Sequence, residues 1–382
     1  MVILCMVYNF IGCAWAENGD LFFPYQNIPV GSCPEIVAIG DVNGDGRSDV
    51  VIATSFYFDT ENDYKLFVFP QGEFGELMPA IKLSIPQCNY VARPNSIAVG
   101  DLNGDGRNDV AIGLAGKGIQ IFYQNADGKL DSTGFVSTKN SSEIKLVKLN
   151  HDRRMDLVSV GRDIEGYLQV SSELKQIILM KNVYKEYYDN DFGVGNLGKG
   201  ALNDIVTVSY NDHRFYVNLH FQKEIGLFYH PQTIMTPATS ATCAIAIGDV
   251  SGNNNNEIVL AYGGNRPGSK VVIFKKKGGI SEKNIVFEQI VLGSYDCPQA
   301  VAIGNISGSK KNDDIIILHG GWERLGVYST QGNGKMGEED LYPIPYSHFN
   351  RQSLAVGDIN GDGKNDVVIA HQSGLAILYH TP

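Results

Sequence analysis

The chain is predicted to be all-β, folded as one ring of repeated four-stranded units. Three observations carry this. Seven segments fit a single template of short apolar strand, polar turn and short apolar strand. Their turns begin at residues 41, 101, 148, 196, 249, 305 and 358, a mean spacing of about 53, which suits four short strands with their loops. The two ends are also complementary: the last unit stops after three strands, and one spare strand beginning at Leu21 precedes the first unit.

The seven segments read "AIGDVNGDGRSDVVIA" from Ala38, "AVGDLNGDGRNDVAIG" from Ala98, "LVKLNHDRRMDLVSV" from Leu146, "VGNLGKGALNDIVTVS" from Val194, "AIGDVSGNNNNEIVLA" from Ala246, "AIGNISGSKKNDDIIIL" from Ala302 and "AVGDINGDGKNDVVIA" from Ala355. Each supplies the first two strands of a unit. Aromatic-rich third strands follow, such as "KLFVFP" from Lys65, "IQIFYQ" from Ile119, "FYVNLHF" from Phe215, "VVIFK" from Val271 and "LGVYS" from Leu325. A polar turn such as "NADGKL" from Asn125 then leads into an edge-like fourth strand. In the last unit, strands over 353–356, 366–370 and 375–379 precede the end of the sequence at Pro382. A ring in which the N-terminal strand completes the last unit removes exposed sheet edges. The expected architecture is therefore a seven-bladed β-propeller over residues 17–382. An open solenoid is the runner-up, but it needs polar capping repeats that the sequence lacks.

The 382 residues include 43 glycines and 43% apolar residues, ordinary for a sizeable core rich in tight turns. A net charge of −11 argues against a general nucleic-acid binder or an anionic-membrane binder. Three bound divalent cations would bring the charge to about −5. Residues 1–16 carry no charge and end in Ala14-Trp15-Ala16, an A-x-A pattern read as a secretory signal peptide. The run ending at Cys13 also loosely matches a lipobox, with Phe10 where leucine is usual. The protein is expected to be secreted, or at the cell surface or in the periplasm, with a lipoprotein anchor as an alternative. It is expected to be monomeric and to lack a transmembrane helix, since the apolar run is too short to span a bilayer.

The turn from Asp41 places Asp41, Asn43, Asp45 and Asp49 at positions 1, 3, 5 and 9, with Gly46 at position 6. Alternate oxygen-bearing side chains around a glycine-enabled bend are how a short loop wraps calcium, and the carbonyl of Arg47 at position 7 completes the logic. An EF-hand would need an acidic residue at position 12, yet Ile52, Ile112 and Ile369 stand there within strand-like runs.

These units resemble FG-GAP or VCBS repeats, the calcium-binding blades of integrin-α-type propellers. The resemblance covers nearly the whole chain after the signal and rests on three full copies of D-x-N-x-D-G-x-x-D. It implies that the loop joins the first and second strands of a blade. It implies calcium ligands at Asp41, Asn43, Asp45 and Asp49, at Asp101, Asn103, Asp105 and Asp109, and at Asp358, Asn360, Asp362 and Asp366, joined by the carbonyls of Arg47, Arg107 and Lys364. About three structural calcium ions are expected. The other turns depart from the pattern. Lys148 replaces the first carboxylate, the turn from Asn196 keeps only Asn196 and Asp204, and the turn from Asn305 contains Lys310 and Lys311. The turn from Asp249 offers fewer charges and no glycine at position 6, so at best weak binding is expected there.

The face opposite these turns carries the loops between second and third strands. They present Tyr57, Arg162, Tyr210, His213, Arg214, Tyr262, Arg266, His319, Trp322, Arg324 and His371, with Arg93 and Arg351 on loops that lead into first strands. Of these, Arg162, Tyr210, His213, Tyr262, Arg266, His319, Trp322 and His371 are the candidate ligand face, and the histidines read as exposed loop residues. Aromatic, arginine and asparagine side chains suit protein or carbohydrate partners. The sequence lacks G-x-S-x-G and H-E-x-x-H, and "GGNRPGSK" has the wrong spacing for a phosphate loop. The leading expectation is a non-enzymatic binding or adhesion scaffold. The alternative is a polysaccharide lyase or hydrolase working at the channel mouth, where His213, His319 and His371 would converge. Cys33 with Cys88 and Cys243 with Cys297 are spaced by about one blade, which suggests two disulfides between neighbouring blades.

Overall fold

The computed structural model describes residues 20–382 except 140, 142, 153, 162, 171–172, 181–190, 199–201, 212, 239–242, 282–283, 309–311, 331–334 and 348–349. The expected signal peptide over residues 1–16 lies outside the described residues.

Seven four-stranded antiparallel sheets form the propeller, the first six built as meanders. Blade 1 comprises Pro34–Gly40, Asp49–Thr54, Lys65–Phe69 and Ile81–Ser84. Blade 2 comprises Pro94–Gly100, Asp109–Leu114, Gly118–Gln124 and Leu130–Ser137. Blade 3 comprises Glu143–Val147, Asp156–Val160, Ile164–Val170 and Glu173–Met180. Blade 4 comprises Phe192–Gly195, Asp204–Asn211, Arg214–His220 and Gln232–Met235, and a small hairpin interrupts it before the last strand. Blade 5 comprises Cys243–Gly248, Glu257–Tyr262, Lys270–Ser281 and Asn284–Gly293. Blade 6 comprises Ala300–Gly304, Asp314–His319, Arg324–Tyr328 and Asp340–Pro343.

Blade 7 closes the ring as expected. Leu354–Gly357, Asp366–His371 and Gly374–Leu378 are completed by Gln26–Pro29, which pairs with the third strand from Gln26↔Ile377 to Pro29↔Gly374. The first strands of neighbouring blades touch around the whole ring, and that of blade 1 touches that of blade 7. The first strands therefore line a central channel, and the fourth strands face outward with mostly exposed residues.

The core lies between blades. Each of its seven clusters joins two neighbours, as when Val51 and Leu66 of blade 1 meet Ile112 and Phe122 of blade 2. The cluster of Val50 and Phe67 with Val368 and Ile377 seals blade 1 to blade 7. Second strands such as Asp49–Thr54 and Asp314–His319 are buried throughout, because a blade sits on each face. Each aliphatic side chain so buried contributes roughly 1.5–3 kcal/mol, none of which is available to an isolated blade.

The Gly that ends most first strands has a steric cause. A Cβ on Gly40 would lie 2.7 Å from Val99 Cγ1, and one on Gly357 would lie 3.0 Å from Ile39 Cγ2. The aliphatic residue of one blade packs onto the bare backbone of the blade before it, which lets seven first strands converge.

Neither expected disulfide is formed. Cys88 and Cys297 hold free thiols. Cys297 instead donates to Asn265 Oδ1 at 3.4 Å, and Cys88 packs against the cluster between blades 1 and 2. One-blade spacing places two cysteines at equivalent heights, but it does not aim their side chains at each other.

Candidate functional site

The three acidic turns have one geometry. In blade 1, Asp41 Oδ1 accepts from the N–H of Gly44 at 2.6 Å, and Oδ2 accepts from that of Gly46 at 2.8 Å. Asn43 Oδ1 accepts from Asp45 N, and Asp45 Oδ1 accepts from Arg47 N, both at 2.9 Å. The turns of blades 2 and 7 repeat this ladder. Gly46 has φ 83°, a left-handed conformation that glycine adopts without strain, and Gly106 and Gly363 match it.

The ninth residue has a separate task. Asp49 is fully buried; its Oδ2 accepts from Val42 N at 3.0 Å and its Oδ1 from Gln71 N at 3.0 Å. It thus clamps the turn to the end of the third strand. Asp109, Asp156, Asp204 and Asp366 make the equivalent pair of bonds, and so does Asp314, tenth in the one-residue-longer turn of blade 6, in turns with and without the full acidic pattern. Sequence reasoning assigned this position to metal alone and missed the clamp. Its recurrence as Asp or Glu in all seven turns was the available signal.

Burial pushes the Asp49 carboxyl up to about 6 against the pull of its two amide bonds, and the charges on Asp45 and Asp41 add to the rise. Asp109 and Asp366 behave alike. Such a cluster of hard oxygens with excess negative charge fits a divalent cation of the calcium type. When bound, that ion would supply positive charge and fixed coordination to the turn. Among the described residues, no three His, Cys, Asp or Glu side chains already converge as a cage. One donor of each set is an asparagine, and the first carboxylate is turned onto backbone N–H groups.

The Asp249 turn keeps part of the ladder. Asp249 accepts from Asn253 and Asn254, and Asn254 takes φ 60° where the full turns have glycine. Glu257 bonds Ser251 instead of clamping the third strand.

On the opposite face the structure redistributes the expected residues. Tyr262, His319 and His371 are buried, which corrects their reading as exposed ligand-face residues. His319 bonds the Asp296 carbonyl through Nδ1 at 3.0 Å and Glu339 Oε1 through Nε2 at 2.8 Å. His371 Nε2 bonds Asn27 Oδ1 of the completing strand at 2.7 Å. Both tie strands together within a blade or near its edge, away from the channel. Arg266, Trp322 and His213 are exposed. Arg266 is paired with Asp296 and stacked 4.3 Å over the Tyr295 ring. Arg162 and the Tyr210 side chain lie outside the described residues.

Two groups on this face were not foreseen. At the channel mouth, a cavity of about 410 Å³ is lined from all seven blades, and no histidine lines it among the described residues. There Lys145 Nζ sits 3.1 Å from Glu143 and 2.8 Å from Asp191, and Gln352 donates to Glu143 at 3.3 Å. Burial, then the Asp191 charge, holds the Glu143 carboxyl well above its usual range. Burial is the largest influence on Asp191 and opposes its charge, but Lys145, Glu143, Arg351 and the Ile245 N–H together outweigh it and hold the carboxyl below its ordinary value.

The second group is aromatic. Phe58 is 87% exposed and adopts φ 60°, with its ring 4.5 Å from that of Phe56. Tyr90 meets Phe56 edge-on at 5.9 Å and is itself exposed, as is Val91. Buried Asp63 fixes the loop by accepting from Ser32 Oγ, Tyr57 N and Asp59 N.

The FG-GAP-like repeat family matches residues 41–112 and 101–159, and the FG-GAP repeat family matches 350–374. These matches contain all three full acidic turns. The chain is an FG-GAP repeat, integrin-α-like β-propeller. Integrin alpha-IIb of Mus musculus is 36% identical over 107 residues, covering 24% of this propeller and 10% of the integrin. Integrin alpha-5 of Xenopus laevis is 30% identical over 138 residues, covering 33% of this propeller and 12% of the integrin. The matched part thus spans only about a tenth of those relatives' length. Among solved structures, BBS1N in complex with ARL6DN resembles the propeller in fold. Its mercury-soaked form gives a TM-score of 0.58 at 14% identity, covering 94% of this chain and 97% of that one. The lead-soaked form gives 0.59 at 15%, covering 95% and 97%. Among the described residues, no helix is long and apolar enough to cross a membrane.

Proposed function

We propose that this FG-GAP propeller is an exported, calcium-stabilised scaffold that binds a protein or carbohydrate partner without catalysis. About three structural ions would be held by the turns of blades 1, 2 and 7. The ligands would be the side chains of Asp41, Asn43, Asp45 and Asp49 with the Arg47 carbonyl, and their counterparts in the other two turns. Export would begin with removal of residues 1–16, leaving the protein secreted or at the cell surface.

The observation that carries the binding assignment is Phe58. A bulky residue at φ 60° costs on the order of 1–3 kcal/mol, and here the ring gains little burial in return. Strain held in place by a bonded loop, beside Phe56 and Tyr90, supports a surface shaped for a partner. The integrin likeness supports adhesion as the setting, and exposed aromatics suit sugar rings or apolar protein side chains. The mouth cluster does not favour the lyase or hydrolase alternative, because Glu143 and Asp191 are already bonded to Lys145.

Calorimetric titration of metal-free protein with calcium tests the metal assignment: about three ions are expected, with a higher Tm. No heat and no change of Tm on adding EDTA would overturn it. A glycan and protein array probed with and without calcium tests the scaffold. N-terminal sequencing of the mature protein tests export, with Glu17 as the expected first residue.

A further inference from the structure

Two residues beyond the strand pairing next to each ninth-position residue lies a position that faces the preceding blade's turn. It is Gln71, Gln124, Gln169, Gln222, Lys276, Thr330 and His380 in blades 1 to 7, as the registers Val50↔Phe69, Val110↔Phe122, Leu157↔Tyr167, Ile205↔His220, Ile258↔Phe274, Ile315↔Tyr328 and Val367↔Leu378 define it. In three of the four blades whose preceding turn lacks the full acidic pattern, the side chain bonds a carbonyl of that turn. Gln222 Nε2 donates to the Leu149 carbonyl at 2.7 Å, Thr330 Oγ1 donates to that of Val250 at 3.0 Å, and His380 Nε2 meets that of Ile306 at 2.6 Å.

Where the preceding turn is a full one, the side chain is glutamine and its amide nitrogen is orphaned. Gln71, Gln124 and Gln169 follow the turns of blades 7, 1 and 2. Each is at most 3% exposed, and each Nε2 lacks a partner. Gln124 and Gln169 also leave Oε1 unpartnered, whereas Gln71 Oε1 accepts from Ser48 N. Two of the amides lie against their turns: a Cβ on Gly361 would lie 3.2 Å from Gln71 Nε2, and one on Gly44 would lie 3.6 Å from Gln124 Oε1, while Gln169 holds the same register position after the blade 2 turn, where a Cβ on Gly104 would meet Arg154 Nε at 3.2 Å. A buried amide without a partner is destabilising, so three at equivalent places beside three equivalent turns require a common partner.

We infer that Gln71, Gln124 and Gln169 are inter-blade positioning residues for the cations of the preceding turns, donating from Nε2 to a water in the ion's shell. This rests on the calcium assignment above. The protein donors of one turn leave room in a shell of six to eight oxygens, and groups that orient such a shell are worth roughly ten- to a hundredfold in metal affinity. Each ion would then lock its own turn to the next blade.

The test uses the full chain with Gln124→Leu and Gln169→Leu combined, and Gln124→Met with Gln169→Met as a second pair in case the first fails to fold. Calcium binding by calorimetry, and Tm in calcium and in EDTA, are compared with wild type. Gln222→Leu serves as control. The expected result is two of three sites weakened roughly tenfold or more, a smaller calcium-dependent rise in Tm, and a Tm in EDTA equal to or above that of wild type. Gln222→Leu should lower Tm equally in both buffers. Unchanged calcium affinity in a folded variant would overturn the inference, as would equal losses of Tm in calcium and EDTA. A wild type that binds no calcium would overturn the metal assignment itself, which separates the two failures.

Discussion

Asn108 Nδ2 donates to the main-chain carbonyl of Asp41 at 3.0 Å, joining the turn of blade 2 to that of blade 1. Asn256 reaches Asn196, and Asn365 reaches Asn305, in the same way at 3.1 and 3.0 Å. Asn203 exchanges two bonds with Lys148, and Asp313 N donates to Asp249. The turns are therefore laced together independently of the Asp and Asn side chains at positions 1, 3 and 5. Asn108→Ala should cost about 1 kcal/mol, and the loss of Tm should be the same in calcium and in EDTA. A loss seen only in calcium would mean that Asn108 acts through the ion.

Asp49 and Asn43 should separate clamp from metal site. Asp49→Ala leaves the buried N–H groups of Val42 and Gln71 unpaired, at a cost of about 2–4 kcal/mol even in EDTA. Asn43→Ala removes two exposed bonds to Asp45 and a half-buried one to Asp49 but leaves no buried N–H unpaired, and should cost about 1 kcal/mol in EDTA while weakening calcium binding at that turn. Chemical denaturation with and without calcium reads both. Equal behaviour of the two variants would refute the division of labour.

His220 should give the fold an acid-sensitive edge. Burial pulls its pKa down to about 4, and its Nε2 bonds Thr207 Oγ1 at 3.1 Å. The unfolded chain takes up this proton near pH 6.5 and the folded chain does not. The stability contributed by neutral His220 is therefore complete above pH 6.5 and is lost as pH falls towards 4, on the order of 3 kcal/mol. In excess calcium, His220→Gln should flatten this part of the stability profile. An unchanged slope would show that other groups cause it.

Phe58→Gly should relieve left-handed strain and raise Tm or leave it unchanged, while weakening the partner found by array screening. Phe56→Ala offers a comparison that removes the neighbouring ring without changing the strained backbone. Partner binding unaffected by both substitutions would remove this patch from the binding face.

Much of this was legible in the sequence because the turn chemistry is local. Glycine at position 6, oxygens at 1, 3 and 5, and apolar runs on either side specify the same turn wherever they recur. The channel cluster was harder to see. Glu143, Lys145, Asp191 and Arg351 come from three blades and share no spacing. The aromatic patch was half visible: Tyr57 stood out as a loop aromatic, but nothing in the sequence marks Phe58 as the residue held outward.

By itself the sequence determined the blade period, the ring closure and the shared turn of blades 1, 2 and 7, since each depends on residues within one repeat or on the spare first strand that fills the three-stranded last unit. Tertiary structure decided which polar side chains face a neighbouring blade. Tyr262, His319 and His371 sit in loops or at strand ends by sequence, yet packing buries them. Asn108, Gln71 and Gln124 look like ordinary turn residues until the next blade is set beside them. The turns they face lie about a blade away or at the far end of the chain, and the rotation that joins blades is fixed by packed side chains, which no periodicity encodes.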